Sequence, residues 1–385
     1  MKIVHVLPAL TKGGGERVAA ELANHAARAG HQVTLIAGWP VDPTLLRDAL
    51  HSEVQVLYVS KFTESKLSRY FSLASWLWRH RAWLADQDIL HCHLTYGAIF
   101  GTIAKALRAS KLPSIVETYH AVGMPIPRLN RWFHACLASH RDAIVLVAED
   151  EFWHQFLVRH PSLLSETISN GISIANTRCI EMAQRMDYRK QIGIPDNCQF
   201  VIGTVGRMAP EREPWLYLPI FAEIVRVLGP EVHFVIGGDG SELDQMRALV
   251  IEHGLEGRVH LPGLVPDPSL PFSIMDLYVT LNVGDLTGMA AMEAAASGVP
   301  VLGIQLLFEY RPGVDDWIWS STDPMELAGQ AITLIQSPTD RQALAERQNA
   351  YVQDHHTVKI MALAYSRLYQ KMIDRNETKL NIGSQ

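Results

Sequence analysis

Two arginines stand five residues apart, directly after a buried strand pattern. The strand pattern covers residues 200–206 (FVIGTVG), and Arg207 and Arg212 lie in the segment that follows it. In open parallel sheets, ligands bind beyond the carboxyl ends of the strands. A guanidinium group is permanently charged and presents its donors in a fixed fork that suits phosphate oxygens. The pair therefore predicts a diphosphate site, with two ordinary surface arginines as the alternative.

Three consecutive glycines lie between an apolar strand pattern at residues 1–7 and a helical pattern at residues 16–27. They are Gly13, Gly14 and Gly15. Without a Cβ atom, their backbone can approach a ligand closely, and the free N–H groups of a helix N-terminus attract anions. The glycines predict a second phosphate-binding turn, with simple turn geometry as the alternative.

Residue types that could bind a metal ion occur without the spacing of a metal site. His93 and His120 end different strand patterns and form no recognisable ligand cluster. The acids Asp86 and Asp88 precede the strand pattern at residues 89–93 instead of following it. We therefore predict that the protein has no metal site and needs no cofactor.

The elements that would position these residues form two series of alternating strands and helices, which is typical of α/β proteins with parallel sheets. The first series has strand patterns at residues 1–7, 32–38, 89–93, 114–118 and 143–147. The second has strand patterns at residues 200–206, 232–236, 259–261, 277–281 and 299–302, with helical patterns at 215–228 and 242–253. An amphipathic helix at residues 357–373, followed by a frayed polar end, is predicted last.

Length and composition agree with two folded domains. The chain has 385 residues, 48% of them hydrophobic and 19% charged, and a chain of this length divides into more than one core. No apolar run approaches the roughly 18 residues of a membrane span. With a net charge of −6, we expect no nucleic-acid partner. The four cysteines form no Cys-x-x-Cys pair, which favours a reducing, cytoplasmic compartment: Cys92, Cys136, Cys179 and Cys198.

The segment DLTGMAAMEAAASGVPV, from Asp285 to Val301, is the most specific motif. An acid in a loop, a glycine at a helix start and a second acid at Glu293 resemble the Glu-x7-Glu element of retaining GT-B glycosyltransferases, family 4 type. Most of the chain carries further resemblance to this family. The segments concerned are 13–17 (GGGER), 88–94 (DILHCHL), 117–120 (ETYH), 169–172 (SNGI), 206–212 (GRMAPER), 237–242 (GGDGSE) and 259–263 (VHLPG).

The resemblance implies two Rossmann-like domains that face a central cleft, with the C-terminal helix crossing back to the N-terminal domain. Residues 1–175 together with 357–385 would bind the acceptor, and residues 176–356 would bind the nucleotide-sugar donor. The reaction implied is transfer of a hexose-type sugar, with retention of configuration, from a nucleotide-diphosphate sugar to a saccharide or lipid-linked acceptor. Cell-envelope or exopolysaccharide biosynthesis is the pathway expected for such an enzyme.

The same resemblance implies a role for each matching side chain. Glu293 would accept hydrogen bonds from the ribose hydroxyls, and Asp285 would face the hydroxyls of the transferred sugar. Arg207 and Arg212 would hold the diphosphate, and His120 would reach the sugar near the reacting centre. These cations and backbone amides would stabilise the leaving diphosphate without a metal ion.

Backbone groups complete the implied site. The turn that contains Gly14 and Gly15 would lie against the phosphates and the acceptor. The amides of Gly288, Met289 and Ala290, at a helix N-terminus, would add to the anion site.

The chain departs from the family pattern at four places, listed with the usual residues: Asp285 for Glu, Arg212 for Lys, Leu281-Asn282 for Pro-Ser and Ala290 for Pro. Asp285 is one methylene shorter than the usual acid, so this change bears most directly on which donor sugar is accepted. Two alternatives stay open: a nucleotide-sugar epimerase of the same fold, and a catalytically silent nucleotide-sugar-binding partner of another transferase, which the change at Asp285 favours.

Two segments combine basic and aromatic residues in a way that is typical of helices on anionic membrane surfaces. The segments are residues 61–83, with Trp76 and Trp78, and residues 128–141, with Trp132 and Phe133. The alternative is that the aromatic residues belong to the core. Because both segments lie in the half expected to bind the acceptor, they favour a lipid-linked acceptor and peripheral attachment to the inner face of the cell membrane.

Overall fold

The computed structural model describes residues 1–11, 13–41, 49–60, 66–107, 113–120, 128–174, 180–265, 267, 269–281, 288–304 and 318–383. The chain divides into two compact units. Unit 1 comprises Met1–Gly171 and Val358–Gln385, and unit 2 comprises Ile172–Thr357. Each unit is built around its own parallel β-sheet.

In unit 1, the described residues form a seven-stranded sheet in the order β3-β2-β1-β4-β5-β6-β7. The strands are β1 (Lys2–Leu7), β2 (Gln32–Ala37), β3 (Gln55–Tyr58), β4 (Ile89–His93), β5 (Ser114–Tyr119), β6 (Ala143–Leu146) and β7 (Leu164–Thr167). Each strand pairs with its neighbours in parallel. The central strands are buried along nearly their whole length, as expected for a parallel sheet covered on both faces.

The first helices of unit 1 connect these strands. They are α1 (Gly14–Arg28), α2 (Lys66–Ala85), α3 (Leu94–Ala106), α4 (Arg128–Ala138) and α5 (Glu151–Val158). Helix α3 packs against both α2 and α4, so these three helices lie side by side. The strand order reverses between β1 and β4, and ligands of open parallel sheets bind beside such a switch point.

In unit 2, the described residues form a six-stranded sheet in the order β10-β9-β8-β11-β12-β13. The strands are β8 (Phe200–Val205), β9 (Val232–Gly237), β10 (Val259–Gly263), β11 (Leu277–Thr280), β12 (Val301–Ile304) and β13 (Trp319–Ser321). The strand order reverses between β8 and β11. The carboxyl ends of these two strands are therefore where a ligand of unit 2 is expected.

Seven α-helices belong to the described part of unit 2. They are α6 (Met182–Gln191), α7 (Tyr217–Leu228), α8 (Leu243–Glu252), α9 (Ser269–Ile274), α10 (Met289–Ala296), α11 (Pro324–Gln336) and α12 (Pro338–His355). Side-chain caps mark two of the starts: Asp323 accepts from the amide of Met325, and Ser337 accepts from that of Asp340. Helix α10 packs between α12 and strand β11, a position that its short alanine side chains allow.

The last helix, α13 (Val358–Gly383), returns to unit 1 and packs against α1 and β5. The predicted α/β architecture with a returning C-terminal helix is therefore confirmed. The prediction of a frayed end after residue 373 is wrong, because the helix continues to Gly383. A contact with the sheet supports the extra length: the side-chain amide of Asn376 donates to Ser114 Oγ at 2.7 Å.

Three strands of the structure are absent from the sequence prediction: β3, β7 and β13. They have three or four residues each and lie at or near a sheet edge. Strands β3 and β7 are only partly buried, so they lack the continuous apolar run that marks the central strands. Within the described residues, no helix has both the length and the apolarity needed to cross a membrane.

Candidate functional site

The segment after β8 is fixed by backbone contacts with the turn after β9. The amide of Gly206 donates to the carbonyl of Gly237 at 2.9 Å, and that of Met208 donates to the carbonyl of Asp239 at 2.9 Å. Gly238 and Gly240 have φ angles of +138° and +155°, and a Cβ atom at either would overlap a carbonyl oxygen of the facing segment. Only glycine adopts such φ angles readily and also leaves room for the carbonyl oxygen. These glycines therefore hold the arginine segment at the carboxyl end of β8.

The two predicted arginines lie close enough to influence each other. Arg207 is exposed and pairs with Glu211 at 2.6 Å. Arg212 is more buried, and this burial lowers its pKa, which the charge of Arg207 lowers further. Because arginine remains charged in proteins, the two guanidinium groups repel each other. A bound diphosphate would offset this repulsion with its negative charge.

Glu293 lies on α10, one turn beyond the start of the helix. Its side chain is only 5% exposed, which is unusual for a carboxylate. Burial raises the pKa of the Tyr278 hydroxyl on β11. The charge of Glu293 raises this pKa further, and the charge of Arg212 lowers it. The structure therefore brings Glu293 and Arg212 to the same part of unit 2, beside Tyr278.

The start of α10 supplies backbone donors to the same unit. Gly288 occupies the N-cap position without a side-chain cap. Met289 and Ala290 begin the helix, and the first amides of a helix have no partner within it. Asp285 belongs to residues 282–287, which lie outside the described residues, so its predicted role stays a prediction.

In unit 1, the glycine turn packs against the ends of two strands. A Cβ atom on Gly15 would lie 3.1 Å from Leu94 Cδ2 and 3.3 Å from the ring of His120. Leu94, directly after β4, has a φ angle of +59°, a left-handed conformation that costs a non-glycine residue about 1–3 kcal/mol. Helix α1 begins beside them at Gly14. The carboxyl ends of β1, β4 and β5 thus gather Gly14, Gly15 and His120, whose proposed roles in binding stay predictions.

His120 is the outer member of a chain of buried histidines. Its Nε2 lies 3.2 Å from His93 Nδ1, and His93 Nε2 lies 3.1 Å from His5 Nδ1. Burial lowers the pKa of His120 to about 4 and that of His5 to about 3. Burial also lowers the pKa of His93 well below its usual value. All three imidazoles are therefore neutral at neutral pH, and His120 can bond a ligand hydroxyl without adding charge.

A fourth histidine, His91, lies beside this chain, and the sequence prediction that the histidines form no cluster is wrong. Ligand nitrogens of His5, His91 and His93 lie within 4.8 Å of one another, close enough to hold a metal ion. The β1–β4 register pairs His5 with His91, which sequence spacing did not reveal. His91 bonds instead to Tyr369 at 2.6 Å and to Thr118 at 2.7 Å.

Two family models match the chain. The model described as "Glycosyltransferase Family 4" matches residues 12–176, and the model described as "Glycosyl transferases group 1" matches residues 184–351. Together they span most of the chain. The chain belongs to the GT-B glycosyltransferases of family 4 type.

Curated relatives resemble this glycosyltransferase at low sequence identity. It is 32% identical over 115 residues to 2-deoxystreptamine glucosyltransferase of Streptomyces kanamyceticus, which covers 29% of this chain and 30% of that protein. It is 23% identical over 381 residues to N-acetyl-alpha-D-glucosaminyl L-malate synthase of Bacillus anthracis, which covers 94% of this chain and 96% of that one. Thus the chain spans under a third of the first relative's length and nearly all of the second's.

Among solved structures, HepE of Anabaena in complex with UDP and glucose is similar to this glycosyltransferase. The TM-score is 0.76 at 20% identity, over 96% of this chain and 100% of HepE. At this level of identity, the similarity shows the GT-B fold.

The aromatic surface of the glycosyltransferase is smaller than the sequence predicted. On α2, Phe71 is 72% exposed and Trp78 is 60% exposed, with Arg81 stacked 4.8 Å from the Trp78 ring centre. Trp76 is buried in the core, so including it in the surface was wrong. The side of α2 that carries Trp76 faces inward because α2 packs on α3.

Helix α4 adds a second part of this surface. Trp132 is 62% exposed, and Phe133 is also exposed. Arg141, at the end of the predicted basic segment, is instead buried and pairs with Glu117 at 2.9 Å. The surface therefore consists of exposed residues on α2 and α4, on either side of α3, and residues 61–65 of the predicted segment lie outside the described residues.

Proposed function

We propose that this glycosyltransferase transfers a hexose-type sugar from a nucleoside-diphosphate sugar to a saccharide or lipid-linked acceptor, with retention of configuration. The observation that carries the proposal is Arg212 at the strand-order switch of unit 2, where it lies near Arg207 and shares the neighbour Tyr278 with the buried Glu293. Retention rests on the family resemblance of the segment from Asp285 to Glu293. Because HepE was solved with UDP and glucose, UDP-sugars are the first donors to test.

The proposed chemistry follows from the charge that develops during transfer. When the bond from the anomeric carbon to the phosphate oxygen breaks, the nucleoside diphosphate gains negative charge and the sugar becomes oxocarbenium-like. Arg207 and Arg212 stabilise that negative charge, together with the amides of Gly288, Met289 and Ala290. These groups supply what a divalent cation supplies in other transferases, so the reaction is proposed to need no metal.

The remaining site residues are proposed to orient the donor. Glu293 accepts hydrogen bonds from the ribose hydroxyls, and Asp285 accepts them from the sugar. In unit 1, the neutral imidazole of His120 bonds the sugar, and the turn at Gly14 and Gly15 contributes backbone amides. A site that bonds hydroxyl groups strongly rejects donors that lack them.

The exposed aromatic and basic residues of α2 and α4 support a lipid-linked acceptor and peripheral contact with an anionic membrane. Trp78 and Phe71 present apolar area on α2, and Arg79 and Arg81 are exposed on the same helix. Aromatic side chains and cations together suit the interface between lipid headgroups and acyl chains.

Two experiments test the function. Thermal unfolding with a panel of UDP-, GDP- and ADP-sugars identifies the donor, because a ligand stabilises the folded state by RT ln(1 + [L]/Kd). Product analysis with that donor then separates three activities. Transfer to an acceptor supports the proposal; epimerised donor without acceptor indicates an epimerase of the same fold; binding with neither reaction indicates a silent partner protein.

A further inference from the structure

Three buried hydroxyl groups form a hydrogen-bonded chain between the two strands at the switch point of unit 2. They belong to Thr204 on β8, Tyr217 at the start of α7 and Tyr278 on β11. Thr204 Oγ1 lies 3.0 Å from the Tyr217 hydroxyl and 3.5 Å from the Tyr278 hydroxyl. The two tyrosines are thus connected through one threonine.

Backbone groups fix the direction of every bond in this chain. Tyr278 donates its proton to the carbonyl of Val205 at 3.0 Å and accepts from the amide of Val205 at 3.2 Å. Thr204 therefore donates to Tyr278, and Tyr217 must donate to Thr204. The Tyr217 oxygen accepts from the amide of Leu281 at 3.2 Å. Each hydroxyl donates once, so the chain runs in one direction from Leu281 to Val205.

The ends of this chain are the last residues of the two strand regions that lead to the site. Val205 ends β8 and is followed directly by Gly206 and Arg207, and Leu281 directly follows β11. Tyr217 and Tyr278 also lie near enough to Arg212 for their hydroxyls to act on its charge. The hydroxyl chain therefore lies beneath the arginine segment.

We infer that Thr204, Tyr217 and Tyr278 are positioning residues, which hold the arginine segment in the place where it binds the second phosphate of the donor. This inference rests on the proposed function. A connected buried network is rigid when each of its members is satisfied, and a displacement of about 1 Å at a binding site lowers its efficiency strongly. The donor would then meet a preformed diphosphate site.

Isosteric variants test this role. Tyr278→Phe and Tyr217→Phe each remove one oxygen atom, and Thr204→Val replaces the hydroxyl that joins them. Tyr188→Phe is the matched control, because Tyr188 is buried in the same unit and its hydroxyl has no hydrogen-bond partner in the described part of the chain. Thermal unfolding of each variant reports any general loss of stability.

The readout is the ratio of the Kd for the nucleoside monophosphate to the Kd for the nucleoside diphosphate, because this ratio isolates the second phosphate from the base and the ribose. UMP and UDP are used first, and GMP with GDP or AMP with ADP if the donor panel selects that base. We expect Tyr278→Phe and Thr204→Val to lower the ratio about five- to tenfold, the effect of one misplaced hydrogen bond. Tyr188→Phe should leave the ratio unchanged. If Tyr278→Phe and Thr204→Val lower only the unfolding temperature and keep the parental ratio, the inference is overturned.

A double variant tests whether the hydroxyls act as one chain. Because Tyr217 and Tyr278 are joined through Thr204, their combined effect on the ratio should be smaller than the product of the two single effects. If the two single effects simply multiply, the inference that the three hydroxyls act as one chain is overturned.

Arg207→Ala separates this inference from the proposed function. If wild-type protein prefers UDP over UMP and Arg207→Ala removes that preference, the diphosphate site stands and the tyrosine variants alone decide the inference. If wild-type protein prefers none of UDP, GDP and ADP over the corresponding monophosphate, or if Arg207→Ala has no effect on that preference, the proposed site itself fails.

Discussion

Replacing Glu293 with alanine should weaken nucleotide binding while leaving the fold intact. The carboxylate is 5% exposed, so its proposed bonds to ribose form away from competing water. A hydrogen bond to a charged group contributes roughly 1.5–3 kcal/mol, which corresponds to a rise of about 10- to 150-fold in Kd. The affinities for UDP and for the UDP-sugar should fall together, because the proposed partner is the ribose and not the sugar.

Urea unfolding of the ligand-free protein separates a loss of binding from a loss of folding. Glu293 interacts with other groups in the folded protein, so Glu293→Ala changes the free energy of unfolding as well as the affinity. Alanine is the best helix former, so we expect α10 to be retained. The nucleotide affinities are compared at a temperature at which unfolding measurements show both proteins to be folded.

Calorimetric titration with UDP and with its 2′,3′-dideoxy analogue identifies the contact itself. Wild-type protein should lose affinity when the ribose hydroxyls are removed, whereas Glu293→Ala should bind both nucleotides equally weakly. Glu252→Ala serves as the control, since Glu252 is an exposed acid at the end of α8 in the same unit. An unchanged Kd for UDP in Glu293→Ala, or a variant that still discriminates ribose from dideoxyribose, would refute the assignment.

Three further predictions concern the metal, the sugar and the membrane. Transfer should survive EDTA because Arg207 and Arg212 stabilise the leaving diphosphate; loss of activity that manganese or magnesium restores would contradict this. Asp285→Asn should lower transfer with nearly unchanged UDP affinity, and Asp285→Glu should change the ranking of donor sugars; parental behaviour of both variants would remove Asp285 from the site. Cosedimentation with anionic vesicles should fall at high salt and in the double variant Phe71→Ser, Trp78→Ser. If the parent protein binds neutral and anionic vesicles equally weakly, this surface does not bind membranes.

The sequence could predict those parts of the fold whose signal is local. Strand β6 (Ala143–Leu146) is buried along its whole length, so the apolar run at residues 143–147 located it to within one residue. The arginine segment after β8 and the glycines before α1 could also be found, because a ligand site at a strand end needs particular residue types at short spacing.

The features that the sequence could not predict depend on contacts between distant residues. His5 and His91 are 86 positions apart and become neighbours only through the β1–β4 register. Trp76 and Trp78 belong to one basic aromatic segment, yet the packing of α2 on α3 buries the first and exposes the second. The extension of α13 likewise depends on the bond from Asn376 to Ser114.

The return of α13 to unit 1 has a consequence for the synthesis of the protein. Tyr365 and Tyr369 bond to Thr118 and His91 inside unit 1, but they are made only after all of unit 2 (Ile172–Thr357). At about 5–20 residues per second, translation of those roughly 190 residues takes about 10–40 s. During this interval the β4–β5 face of the first sheet lacks its covering helix, so the nascent chain presents apolar and polar core groups to chaperones and to other chains. A premature stop just before Val358 would make that exposure permanent.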